Sequence, residues 1–261
     1  MKFAALTFDL SMQKLNDIGR TWGTRIYKEK DFIFEFSAAS YATFIAHNPD
    51  KDLTIMTDNV SLLNEKLNKY DIDLSNTKVI DWSKEIEEFK KHKFAFKPLM
   101  ELISLFKDCG EYTVRLDNDL VCKSKIENDF GDPESVVVWK AEGMVKDGDI
   151  RWGERLVCET VFNETNFMRY NIGVLGMPVK FLAHYQEYLD NCEKLINVDI
   201  TPVSDLGVKM YHVCEQTSYN WLMHKYNFKV KECDNIFDHH FEVKGNCISA
   251  AIPYLKKEFV W

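Results

Sequence analysis

The sequence predicts an α/β protein built on a single Rossmann-like mixed sheet with helices on both faces. Three observations predict it. Short β-rich runs alternate with longer helical patterns through residues 1–120, the connections between them are short, and no Pro/Gly/Ser-rich linker divides the chain. With 261 residues, 46% hydrophobic and 13% aromatic, a chain of this size buries roughly 70–75% of its unfolded surface, so a full core is available. We expect one domain over 1–261, with halves 1–120 and 121–261 that differ in texture.

The elements follow in order. Lys2 to Phe8 reads as a strand, and Phe34 to His47 carries apolar residues at helical spacing until Asn48-Pro49 stops it. Leu53 to Thr57 is a second strand ending at Asp58-Asn59, where Asn59 or Ser61 can cap a helix reaching about Tyr70. Thr77 to Asp81 is a third strand, Phe94 to Lys107 a helix broken at Cys109-Gly110, and Tyr112 to Leu116 a strand running straight into Asp117-Asn118-Asp119. Beyond it, Ser135 to Trp139, Leu156 to Phe162 and Arg169 to Met177 read as strands, with helices at Val179 to Leu195 and Glu215 to Tyr226. Glu142 to Gly153, with three glycines and five charged residues, reads as a mobile loop.

Composition narrows the function. A net charge of -8 without a Lys/Arg block argues against a nucleic-acid binder, whose affinity comes from phosphate contacts on a basic face. The apolar start is cut short by Asp9, and no stretch approaches the roughly 20 residues of a membrane span. Seven cysteines form no CxxC pair, as expected for free thiols in a reducing compartment, and the expected location is cytoplasmic.

Asp117-Asn118-Asp119 is the feature that carries chemistry. Two carboxylates stand between the strand-like Tyr112 to Leu116 and the apolar Leu120 to Cys122, at the carboxyl end of a strand, where open α/β sheets bind ligands. Such paired hard oxygens suit Mn²⁺ or Mg²⁺, which keep positions for water and substrate phosphates.

With Lys97 in Phe96-Lys97-Pro98, Arg115-Leu116 before the acidic triplet, Tyr170 to Gly176, Glu215-Gln216 at a helix start and Asp238-His239-His240-Phe241 near the end, the chain resembles the nucleotide-sugar-dependent glycosyltransferases of the GT-A fold, closest to the family-8-like enzymes. The ordered set spans the chain. It departs from that pattern in Glu215 for an Asp, in lacking a clear Gly-x-x-Lys-Pro-Trp after the histidines, and in reducing an Ala-Asp-Asp-type motif to Thr7-Phe8-Asp9. The resemblance implies transfer of a sugar from a nucleotide-diphosphate donor, a UDP-sugar favoured, to a carbohydrate or glycoconjugate acceptor, with Mn²⁺ or Mg²⁺ as cofactor. It further implies that 1–120 is the nucleotide-binding half and 121–261 the acceptor half.

Residue by residue, Asp117 and Asp119 would bind the ion with His239 or His240 as a further ligand. Thr7, Phe8, Asp9, Asp58, Lys97, Arg115, Asp117 and Asn118 would face the nucleotide sugar, and Asn171, Gly173 and Gln216 the acceptor or sugar. Glu215 would be catalytic, as base or as transition-state stabiliser. A nucleotidyltransferase is disfavoured because Thr7 to Arg20 contains one glycine, and an aspartate-nucleophile phosphatase because Ser11 stands where it needs a second Asp. The remaining alternative is a catalytically silent nucleotide- or sugar-binding protein of the same fold.

Overall fold

A computed structural model describes residues 1–8, 30–90, 111–148, 153–199, 214–240 and 243–259. Its centre is a seven-stranded sheet of order β3-β2-β1-β4-β7-β6-β8, with β1 Lys2–Thr7, β2 Leu53–Thr57, β3 Thr77–Asp81, β4 Thr113–Leu116, β6 Ser135–Met144, β7 Met168–Met177 and β8 Lys229–Glu232. The first four strands are parallel, β7 runs antiparallel to both β4 and β6, and β8 is parallel to β6. Both halves of the chain therefore contribute to one mixed sheet. A separate ribbon pairs β5 Leu120–Cys122 with β9 Phe237–His239.

Strand β1 is buried on both faces. Phe3 and Ala5 enter one apolar cluster and Ala4 and Leu6 another, so period-two alternation sends side chains into helices on either side. On the first face lies α1, Lys30–His47, buried around most of its circumference from Ile33 to Ile45. It packs between α2, Val60–Leu67, the ribbon, and α8, Gly245–Ala251. Phe44 of α1 meets Phe3 of β1 with ring centroids 4.9 Å apart, and each such burial stabilises by roughly 1.5–3 kcal/mol. Asn59 caps α2 by accepting the Leu62 N–H at 3.0 Å. Helix α3, Ser83–Lys90, follows β3 and sends Ile86 into the opposite face.

The second half holds another core, where α6 Tyr185–Ile196 and α7 Cys214–Lys225 pack together beneath β7. Leu156 to Phe162 lies in a helix, α4 Glu154–Phe162, and not in a strand. Val157, Thr160 and Val161 suggest β structure by their branching, but left-handed Gly153 and Asn163 bracket one short helix whose Glu154, Val157 and Cys158 face inward at helical spacing. Glu142 to Gly153 is likewise not one loop. Residues up to Met144 extend β6 against β7, and Val145 begins a 3-10 turn and is itself buried against Cys158 and Phe167. Residues 149–152 lie outside the described residues. The helix expected from Val179 divides into α5 Val179–Leu182 and α6, α2 stops at Leu67, and the one expected over Phe94 to Lys107 falls outside the described residues. Six of the seven cysteines are described, all free and buried. No described helix is long and apolar enough to cross a membrane.

Candidate metal and sugar-nucleotide site

The site forms where β1 and β4 end side by side. The sheet is extended in opposite directions from these two strands, which leaves a crevice over their carboxyl ends. Ala5 pairs with Leu116, so the chain beyond β1 and the turn carrying Asp117 to Asp119 rise together. The ribbon then brings in the distant partner. Leu120 pairs with His239, and the His240 N–H donates to the Asp119 carbonyl at 2.9 Å. Asp117, Asp119 and His239 each present a ligand atom, all within 4.8 Å of one another. Two carboxylates and one imidazole fit Mn²⁺ or Mg²⁺ by donor chemistry. The His240 ring lies apart from this group, its Nδ1 3.4 Å from the Asn246 amide.

Both carboxylates are held. Asp119 is 3% exposed. Its Oδ1 is 3.0 Å from His239 Nε2, and its Oδ2 accepts from Lys244, a buried residue beside α8 whose ammonium lies 5.4 Å over the Phe36 ring. Burial would raise the Asp119 pKa, but the charges and hydrogen bonds of His239 and Lys244 hold it well below the usual carboxylate range. His239 moves the other way: burial disfavours its charge, yet Asp119 and Asp117 together raise it. Asp117 is more open and accepts from Arg115 Nη1, while Nη2 donates to the Ile172 carbonyl at 2.7 Å. Arg115, 2% exposed, thus spends its guanidinium inside the protein, tying β4 to β7 beneath Asp117.

Glu215 lies in the first turn of α7, near enough to Arg115 and Asp117 for both charges to act on it, and is 9% exposed. Burial pushes its carboxyl up to about 7, with Arg115 opposing and Asp117 adding to the rise. Gln216 next to it donates to Glu142 Oε2 at 3.2 Å. Asn171 also reaches Glu142, and its carbonyl oxygen accepts from the Gly173 N–H at 2.9 Å. A Cβ on Gly173 would come within 2.6 Å of the His239 ring, so what this glycine admits is the imidazole.

On the other side α1 forms the back wall. Its Ser37 Oγ accepts from Asn118 at 3.0 Å, and its Tyr41 hydroxyl meets Thr7 Oγ1 at 2.6 Å. Thr7 is fully buried, Phe8 packs against the Ala4, Leu6 and Met56 cluster, and Asp58 lies half-buried just past β2. Asp9 and Lys97 lie outside the described residues. Sequence reasoning missed Lys244, Tyr41, Arg169 and Glu142. For Glu142 a signal existed, since a lone glycine inside a strand pattern marks a bulge; for Lys244 none did.

No family model matches the chain, and no curated protein matches it in sequence. Solved structures do match. An active-site mutant of LgtC aligns over 83% of this chain and 70% of its own, with TM-score 0.50 and 12% identity. The galactosyltransferase LgtC in complex with donor and acceptor sugar analogs aligns over 85% and 70%, with TM-score 0.45 and 13% identity. The glycosyltransferase GlyE of Streptococcus pneumoniae TIGR4, in its apo form, aligns over 88% of this chain but 45% of GlyE, with TM-score 0.47 and 13% identity. The crevice therefore sits on the GT-A fold, the α/β architecture this chain shares with LgtC.

Proposed function

We propose that the protein is a metal-assisted glycosyltransferase that moves a sugar from a nucleoside-diphosphate donor, a UDP-sugar first, to a carbohydrate or glycoconjugate acceptor. The observation that carries this reading is the convergence of Asp117, Asp119 and His239 at the carboxyl end of β4. Mn²⁺ or Mg²⁺ held by these three would offset the charge that builds on the departing diphosphate as the bond to the sugar breaks. With an ion on Asp119, Lys244 would exchange that carboxylate for the diphosphate, and Lys97 would supply a second cation. Arg115 keeps Asp117 in place from below. Phe8, Asp58 and Asn118 would line the nucleoside side together with Asp9, in keeping with the half 1–120 as the nucleotide-binding one, and Thr7, fully buried against Tyr41, would support that side from beneath. Asn171 and Gln216 would border the sugar and acceptor from the other half, while Gly173, buried against the His239 ring, would serve the metal side.

Glu215 is the catalytic carboxylate in this reading. A group poised near 7 can take the proton of an acceptor hydroxyl, and in its ionised form it can stabilise positive charge on the sugar carbon. The second reading, a catalytically silent binding protein of the same fold, draws support from the same cluster, because Lys244 and His239 already satisfy Asp119. A thermal-shift panel of UDP, GDP, CMP and dTDP, each with and without Mn²⁺, tests the binding step. A selective, metal-dependent rise is expected, since stabilisation follows RT ln(1 + [L]/Kd). No rise with any nucleotide would remove the transferase and the silent nucleotide binder and leave only a silent sugar binder, and a rise without transfer from the matching sugar donor would leave the silent nucleotide binder.

A further inference from the structure

Two side chains in the first turn of α7, Gln216 and Thr217, are each held by a carboxylate from outside that helix, and one arginine joins the two carboxylates. Thr217, fully buried, donates its hydroxyl to Glu154 Oε1 at 2.9 Å. Gln216 donates to Glu142 Oε2. Between these acids stands Arg169 of β7. Its Nη1 donates to Glu154 Oε2 at 3.0 Å and its Nη2 to the Glu142 main-chain carbonyl at 3.3 Å. Its Nε adds an ion pair with Glu142 Oε2 at 3.3 Å, without hydrogen-bond geometry. The contacts close a ring through α7, α4, β7 and β6.

Each acid reaches the ring through a local feature of its own segment. The pairing of β6 with β7 slips between Ala141 and Gly143, and Gly143 has φ +103°, a conformation that L side chains rarely adopt, so Glu142 sits in a bulge. Its Oε1 also takes the Asn171 amide at 3.0 Å. Glu154 opens α4 directly after left-handed Gly153, and at 7% exposure its carboxylate depends on Arg169 and Thr217 for partners. A guanidinium carries its donors on three nitrogens in one rigid plane, so Arg169 fixes the separation of the two acids as well as their charge. The first turn of α7 is where such a tie matters. The first N–H groups of a helix have no acceptor within it, and a helix opens more readily at its ends than at its centre. Glu215 lies in this turn, next to Gln216.

We propose that Arg169 is a positioning residue: through Glu142 and Glu154 it locks the first turn of α7, and so sets where Glu215 and Gln216 stand. The chemical use of those two residues rests on the transferase reading, whereas the lock is a property of the protein without substrate.

Amide hydrogen exchange by NMR reads the turn, and UDP release from a panel of UDP-hexoses reads its use. The Ser218 and Tyr219 N–H groups close the first hydrogen bonds of α7, back to Cys214 and Glu215. In Arg169→Gln, which keeps one donor group and no charge, their exchange is expected to be about 10–100-fold faster, with Leu222 and Met223 unchanged. In the same variant kcat is expected to fall by about 10–100-fold while KM for the UDP-hexose holds. Thr217→Val keeps the shape of the side chain and removes its hydroxyl. It is expected to move the same amides and kcat in the same direction by about tenfold, and Thr217→Ser to restore wild-type exchange. This pair carries the test if Arg169→Gln does not fold. Unchanged exchange at Ser218 and Tyr219, or a change spread evenly over α7, would overturn the proposal, as would a loosened turn with kcat unmoved. If the wild type releases no UDP from any donor, loosening confined to the first turn sustains the lock and removes the transferase reading, so the two fail separately.

Discussion

Asp117 and Asp119 stand two residues apart, yet each is held by a different kind of cation. Arg115 lies within β4 itself, fully inside the protein, with its fork divided between Asp117 and the Ile172 carbonyl. Lys244 comes from 125 residues away, on a single flexible stem at the edge of α8. A guanidinium pinned at two points can orient a carboxylate but cannot leave it, whereas one ammonium can exchange Asp119 for another anion. The Arg115 side is thus built as a support and the Lys244 side as an exchangeable counter-charge. Four substitutions break or sharpen that contrast.

The largest effect is expected from Asp119→Ala. Mn²⁺ binding should vanish in calorimetry, and urea unfolding should show a loss of about 3–5 kcal/mol, because Lys244 and His239 are left as buried cations without their shared carboxylate. At 3% exposure Asp119 supports the fold as well as the site. An unchanged urea midpoint would mean that Lys244 swings out freely even without a ligand.

Glu215→Gln comes next and separates charge from shape on the Arg115 side. The Glu215 carboxyl sits at about 7 against an ordinary 4.5, so the folded protein keeps a proton that the unfolded chain releases. Stability from this group is therefore intact below about 4.5, falls as pH rises, and is fully lost above about 7. Gln removes that slope. The variant should match wild type near pH 4 and exceed it by on the order of 3 kcal/mol at pH 8 in denaturant titrations. Parallel pH profiles would show that Arg115 already compensates the charge in full.

Arg115→Lys tests the support directly. Lysine keeps the charge but cannot serve Asp117 and the Ile172 carbonyl together, so Mn²⁺ affinity should fall by about 10–100-fold while the fold persists. Retained affinity would reduce Arg115 to a structural tie between β4 and β7. The smallest change is expected at Lys244→Met: with a competing cation gone, Mn²⁺ alone should bind a few-fold tighter, and Mn²⁺ with UDP weaker, in paired titrations (about 1 kcal/mol each way). Equal losses of both would place Lys244 with the supports.

The parallel region was legible almost to the residue. In β2 and β3 the expected and observed limits coincide, and β1 differs by one residue, because alternating or continuous apolar runs bounded by Asn, Asp and Pro are local signals. The second half reads less well. Its β5, β8 and β9 are three or four residues long and owe their form to pairing partners far away in sequence. The site divides along the same line. Asp117-Asn118-Asp119 after a strand could be read directly, as could the set of motifs that resembles the GT-A enzymes.

The sequence by itself determined the α/β class, the parallel strands and the acidic turn at the end of β4, since each depends on the spacing of neighbours along the chain. Only the tertiary structure decided which histidine joins that turn, because His239 and His240 are chemically identical and the pairing of Leu120 with His239 in the ribbon separates them. It also decided that Arg115 turns inward to Asp117, that Lys244 answers Asp119, and that a bulge at Gly143 carries Glu142 to Asn171. Those choices rest on contacts between segments up to 125 residues apart, selected by the burial of charge against charge, for which the order of residues along a chain carries no local signal.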